Sequence, residues 1–212
     1  MNDARSEILK AIGKVSANPA AIAAQAQRLR AGACRPDRVN GPAAAVFIER
    51  LRSPGVAATA ERVATMQDFP DAVRRYLAAQ QLTPALALQP HPDLQALDWS
   101  GISTHEHIAT DEPVAVGLAL GGIAETGSLV FHSSPVSPTL FCFLPLHHIV
   151  AVRASQIWPW LEDYADAFAG CAQPRNVNLI TGASGTTDIE GTLVRGAHGP
   201  GWLHAVLIGN AE

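Results

Sequence analysis

Cysteine is scarce in this sequence, the middle of the chain lacks cations, and no apolar run is long enough to cross a membrane. Cys34, Cys142 and Cys171 stand far apart, and none belongs to a CxxC pair. Neither a disulfide framework nor an iron–sulfur cluster held by this chain alone is therefore expected. Cys142, within FCFLP, reads as a buried strand thiol. No stretch reaches about 18 consecutive apolar residues, the length a spanning helix needs. The opening MNDARSEILKAIGKV has acids and amphipathic spacing in place of the basic and apolar regions of a signal peptide. The expected compartment is the cytoplasm.

Positive charge is absent where the body of the chain begins. Residues 1–75 hold 12 Lys/Arg against 7 Asp/Glu, a net of +5, whereas residues 76–212 hold 3 against 12, a net of −9. From Tyr76 to Val152 there is no Lys or Arg at all. Such a surface repels a phosphate backbone, which argues against nucleic-acid binding. An anionic ligand must then be held by Arg153, Arg175, Arg195, backbone N–H groups or the basic N-terminal part.

What is present fits one soluble domain with an added helical arm: 212 residues, 48% hydrophobic and 16% charged. Ile8, Leu9, Ile12 and Val15 share a helical face, and Pro19 opens a second helix that runs through Leu29 and ends at Gly32. CRPDRVNGP, residues 34–42, is a linker of turn residues. The expected division is a helical arm, 1–42, and an α/β domain, 43–212. In the second part helical segments (AAAVFIERL; MQDFPDAVRRYLAAQQ, with Asp68 as N-cap; WPWLEDYADAFA) alternate with apolar strands. The strands are GVAATA, PALAL, PVAVGLAL, SLVFHS, FCFLPLHHIVAV, NVNLIT and LHAVLI. This alternation predicts an α/β fold with a mostly parallel central sheet flanked by helices. The strand-only interval 113–153 predicts an antiparallel insertion or edge.

Three stretches carry groups capable of chemistry. In GGIAETGSLVF, Gly121-Gly122 would permit close approach of a ligand beyond the end of a strand. Glu125 beside Thr126 and Gly127 is a candidate nucleophile, base or hydrogen-bond acceptor, or else a turn carboxylate facing water. In TGASGTTDIEGTLVRGAHGPGW, a small-residue loop offers N–H and hydroxyl donors from Ser184, Thr186 and Thr187, followed by Asp188 and Glu190. It matches no P-loop, GxGxxG or GxSxG pattern, and a plain turn crossing fits it equally. Among the histidines, His105 and His107 would share a strand face but lack a third metal ligand. His147 and His148 would point to opposite faces. His198, beside the glycines of HGPG, is the better candidate for a ligand-facing imidazole.

GIAETGSLVF, LPLHHIVAV and ITGASGTTDIEGTLVRGAHGPGWLHAVLI, in this order, resemble the LUD-domain family, which includes lactate-utilisation proteins. Glu125, Thr126 and Gly127 match the family's E-T-G, and His148 matches the His of its P-x-x-H-I. Ser184, Thr186, Asp188, Ile189 and Glu190 match S-x-T-x-D-I-E, and His198-Gly199-Pro200 match H-G-P. The chain departs at Gly185 and Thr187, where the family commonly has a basic residue and an alanine. The resemblance implies a fold like that of ribose-5-phosphate isomerase A and the CoA transferases. It also implies a part in oxidising L-lactate to pyruvate beside companion iron–sulfur proteins, with no cofactor on this chain, the clusters on the partners, and a small anionic metabolite as ligand. It places Glu125 as the catalytic candidate, with Gly122, Thr126, Gly127, His148, Ser184, Thr186, Asp188, Glu190 and His198 around one ligand. The alternatives are a stand-alone enzyme acting on a small phosphorylated, acyl or folate-like substrate, and a non-catalytic interaction module.

Overall fold

The computed structural model describes residues 2–13, 18–31, 40–187 and 193–209. Contacts divide the chain into two units, Met1–Arg38 and Val39–Glu212. The first contains α1 (Asn2–Gly13) and α2 (Pro19–Ala31). Asn18 Oδ1 accepts from Ala20 N at 3.0 Å, so a side-chain cap and Pro19 together start α2. Ile8, Leu9, Ile22 and Leu29 are exposed on these helices. Val15 lies outside the described residues.

In chain order the second unit begins with α3 (Ala43–Leu51), β1 (Thr59–Val63), α4 (Phe69–Ala79), β2 (Ala85–Leu88), α5 (Pro92–Gln95), β3 (Ser103–His105) and β4 (Val114–Leu118). It continues with β5 (Gly121–Ile123), β6 (Ser128–His132), β7 (His147–Arg153), β8 (Ile157–Trp158) and α6 (Leu161–Ala167). The last elements are β9 (Val177–Ile180), β10 (Gly185–Thr187), β11 (Leu193–Arg195) and β12 (Trp202–Ile208). The central sheet has six strands in the order β1-β12-β7-β4-β2-β3, every pair parallel. A second sheet, β8-β5-β6-β9, holds the antiparallel pairs β5–β6 and β6–β9. The expected parallel sheet and antiparallel insertion are both present.

A parallel sheet must be covered on both faces, and the apolar residues show how. One face packs Phe69, Val73 and Leu77 of α4 and Leu94 of α5 onto Val116, Ile149 and Val206. The other packs Phe47 and Leu51 of α3, with Leu129 and Phe131 of β6, onto Val150, Leu203, Ala205 and Leu207. The outer side of the second sheet is closed by Tyr164 of α6 and Phe168 over Ile123 and Val130. Burying one such aliphatic or aromatic side chain contributes roughly 1.5–3 kcal/mol. The two faces of the central sheet therefore supply most of the unit's apolar stabilisation.

Three elements differ from the sequence reading, each for a local reason. FCFLPLHHIVAV is not one strand: a 3-10 turn at Thr139–Cys142 precedes β7, and Pro145, with no N–H, lies between them. GVAATA becomes a strand only from Thr59, because Ala57 takes φ 53°, outside the extended region. Asp68 does not cap α4 with its side chain. Its Oδ2 accepts from Thr65 N at 2.9 Å and Thr65 Oγ1 at 2.8 Å, holding the 3-10 turn that leads into the helix.

Gly122 shows how closely α3 seats on the second sheet. A Cβ there would lie 2.7 Å from Phe47 Cε2 and Cζ and 2.9 Å from Ile157 Cδ1. The room the glycine leaves is taken by the fully buried Phe47 ring, not left for a ligand. Gly122→Ala is expected to lower unfolding stability by about 1–3 kcal/mol through overpacking. Urea denaturation checks this; a stability equal to wild type contradicts the packing described.

Candidate functional site

The E-T-G motif forms the turn between β5 and β6. Glu125 N donates to Pro159 O at 3.0 Å and Gly127 N to Ile123 O at 2.9 Å. Gly127 has φ 71°, and a Cβ there would lie 2.9 Å from Arg50 Cγ, so the turn is seated against the end of α3. Glu125 is half-buried and Thr126 exposed. A hydroxyl chain, Thr126 Oγ1 to Ser128 Oγ at 2.7 Å and Ser128 Oγ to Thr181 Oγ1 at 2.6 Å, ties this turn to the start of the small-residue loop.

That loop is a hairpin rather than an open cradle. β10 and β11 pair Gly185 with Arg195 and Thr187 with Leu193. Ser184 N donates to Pro200 O at 2.7 Å, and Gly196 N donates to Ser184 O at 3.0 Å. Ser184 also lies beside Gly199, so Ser184 and His198-Gly199-Pro200 are brought together. Thr186 and Arg195 are exposed. Asp188 and Glu190 lie outside the described residues. His198 lines a cleft of about 500 Å³ with Asp111, Glu112, Phe143, Leu144 and Leu146, at the amino-terminal edge of the central sheet. Glu125 is not on that cleft.

His147 and His148 face opposite sides of β7, as strand alternation dictates. His148 is fully buried and stacks on Phe131 with centroids 5.8 Å apart; neither ring nitrogen has a hydrogen-bond partner. It is enclosed between the two sheets, with Gly117 and Gln89 packed beside its ring. His147 Nδ1 and Tyr76 Oη lie 2.9 Å apart, and Tyr76 stacks on His204. His204 meets Thr59 Oγ1 at 2.8 Å and Glu61 Oε1 at 3.3 Å. These partners make His147 and His204 part of the packing beneath α4. His105 leans on Glu112 at 3.6 Å, and no group of three His, Cys, Asp or Glu converges among the described residues. Cys142 is buried, which pushes its thiol up to about 12 and leaves it unreactive, although it sits in the 3-10 turn rather than a strand.

Polar groups gather instead at the carboxyl ends of the parallel strands, the edge where open α/β sheets hold ligands. Leu118, Ala119 and Leu120, leading out of β4, form one wall of a cavity of about 200 Å³. Gln89, His91, His132, Ser134, Ser137, Arg153 and Gln156 supply its polar lining. Gln89, at the end of β2, is buried and fixed: its Nε2 donates to Val136 O, and its Oε1 accepts from Leu118 N, both at 2.9 Å. His132 Nε2 pairs with Tyr164 Oη at 2.7 Å, and burial lowers its pKa, so it is neutral near pH 7. Arg153, the last residue of β7, pairs through Nη2 with Asp93 in the first turn of α5.

The LUD domain matches residues 44–208, most of the chain. The chain belongs to the LUD-domain family. Relatives of this LUD protein include lactate utilization protein C of Bacillus subtilis (34% identical, 49% of this chain and 46% of that one) and of Exiguobacterium (29%, 54% and 53%). The uncharacterized protein YkgG of Escherichia coli is 31% identical over 51% of this chain and 50% of its own. The chain thus spans about half the length of each of these relatives. Its fold is shared with a DUF162 family protein from Deinococcus radiodurans, at TM-score 0.56 and 17% identity, over 79% of this chain and 96% of that one.

The family motifs of this LUD domain drew attention to the turns of the second sheet. The cavity lining at the opposite strand ends, apart from Arg153, was not singled out in sequence, because Gln, Ser and His in separate loops form no short motif. The signal that could find it is Arg153 itself, the first cation after Arg75.

Burial lowers the pKa of His147, His148 and His204, that of His148 to about 3. Unfolded, each returns to about 6.5. The folded state therefore prefers the neutral imidazoles. Their contribution is complete above about pH 6.5 and is lost as pH falls from there toward the folded-state values. The urea midpoint of the LUD domain should decline between about pH 6.5 and 4.5, before most carboxylates protonate. His148→Leu should flatten that decline, and an identical pH dependence in the variant contradicts a neutral buried His148.

Proposed function

We propose that this chain serves L-lactate utilisation as a subunit or accessory protein of an iron–sulfur complex that oxidises L-lactate to pyruvate. One observation carries the reading: a LUD domain over residues 44–208 with lactate utilization protein C among its relatives at about 30% identity. Oxidation of the hydroxyl-bearing carbon releases two electrons and two protons, so an electron acceptor is required. Cys34, Cys142 and Cys171 stand far apart in sequence with no CxxC pair, and Cys142 is buried and unreactive. That arrangement supports placing the iron–sulfur acceptor on companion proteins and leaving substrate handling to this chain. The charge distribution agrees, because a small carboxylate entering an acidic body needs a local cation, and Arg153 is one that lines a cavity.

Affinity purification of the tagged chain from its native host should bring down iron–sulfur proteins together with L-lactate-dependent electron transfer. Deletion of its gene should abolish growth on L-lactate and spare growth on pyruvate. Undiminished growth on L-lactate after deletion contradicts the proposal.

A further inference from the structure

We infer that the cavity at the carboxyl edge of the central sheet is a binding site for a small carboxylate, with the Arg153 guanidinium as its anchor and Asp93 as the internal competitor for that anchor. The description as a carboxylate site rests on the geometry; the choice of a three-carbon acid as its occupant rests on the lactate reading above.

Electrostatics separate this cavity from the other clefts. The cleft beside His198 is larger, about 500 Å³, but among the described residues it carries Asp111 and Glu112 and no Lys or Arg. It repels the class of ligand in question. A hollow of about 600 Å³ beside Ala43, Ser155 and Gly209 has Ser155 as its one polar side chain among the described residues. A cleft of about 200 Å³ at Arg50 sets that cation beside Glu49, with Ser53 and Val46 around it. Among the described residues only the carboxyl-edge cavity joins a guanidinium, two imidazoles, two hydroxyls and two amides around one space. At about 200 Å³ it admits a molecule of a few heavy atoms.

The donors are arranged for an anion with a second polar group. Arg153 engages Asp93 through Nη2. A guanidinium has five N–H donors in a planar fork, so its other edge can meet a carboxylate. His132 is held through Nε2 by Tyr164, which leaves Nδ1 as the nitrogen for a ligand. Ser134 and Ser137 face each other across a backbone bridge and bring their hydroxyls to the same lining. Gln89 has both amide atoms committed to Val136 and Leu118, so it keeps the wall in place and does not bind the ligand. Asp93 sets the affinity: its carboxylate neutralises part of the guanidinium charge that an incoming carboxylate would meet at the other edge.

The test is isothermal titration of the full chain with pyruvate. Wild type should bind. Arg153→Gln should weaken binding by about tenfold or more, since a hydrogen bond to a charged group contributes about 1.5–3 kcal/mol. Asp93→Asn should bind as tightly as wild type or more tightly, because it removes the competitor and keeps the anchor. Val136→Trp leaves the ion pair intact and fills the cavity from its rim; it should also lose binding while keeping the wild-type melting midpoint. That variant keeps the proposal testable if Arg153→Gln fails to fold. Absence of pyruvate binding by folded wild type, or equal affinity in Val136→Trp or folded Arg153→Gln, overturns the site. Inorganic phosphate binding more tightly than pyruvate overturns its assignment to a carboxylate. If pyruvate fails to bind while deletion still abolishes growth on L-lactate, the site falls and the lactate role stands.

Discussion

Covering both faces of an all-parallel sheet is the constraint on which the rest of this structure depends. The strands run parallel in the order β1-β12-β7-β4-β2-β3, and β4 is buried at every position. Val114, Val116 and Leu118 contribute only if each face meets an apolar layer. The helix α4 supplies one layer. The other is less usual, a second sheet with α3 wedged against it. Phe47 is the wedge, seated in the room that Gly122 leaves, and Phe131 carries the contact on to His148. Gly117 completes the joint: a Cβ there would lie 2.9 Å from Gln89 Oε1 and 3.0 Å from His148 Nε2.

Burying both faces leaves the strand ends as the places where polar groups can collect, and the two ends differ. At the amino end, aromatic rings and histidines pack on one another: His147 lies flat on Trp202 with centroids 4.6 Å apart, and Tyr76 joins His147 to His204. These groups are consumed by packing and hydrogen bonds within the protein. At the carboxyl end Gln89 is fixed by backbone partners, and the side chains around it, Arg153 among them, open onto a small cavity. The same sheet thus has an amino end where aromatic packing beneath α4 adjoins an acidic cleft, and a carboxyl end beside α5 that carries Arg153.

Much of the architecture was legible because its signals are local and repeated. AAAVFIERL became α3 over the same residues, and PVAVGLAL, SLVFHS, HHIVAV and LHAVLI became buried strands, whereas NVNLIT became the half-exposed β9. The errors fell where one residue overrode the pattern, as with the positive φ of Ala57 and the proline that separates Cys142 from β7. The site was less legible. Motif order identified the family, and the described motif residues lie at turn, hairpin and core positions: Gly127 against α3, Ser184 beneath Pro200, His148 between the sheets. The cavity lining comes from four separate segments, 89–91, 118–120, 132–137 and 153–156, joined only by the fold. No spacing in the sequence could announce it beyond the isolated Arg153.

The central claim is that ligand chemistry resides at the carboxyl edge, around Arg153, rather than at the turns carrying the family motifs. Amide chemical-shift mapping of the full chain during titration with pyruvate tests it most directly. The account predicts that the largest shifts fall at Leu118, Leu120, Ser134, Ser137 and Arg153. Largest shifts at Thr126, Ser184 and His198, with the Arg153 region unmoved, would contradict it.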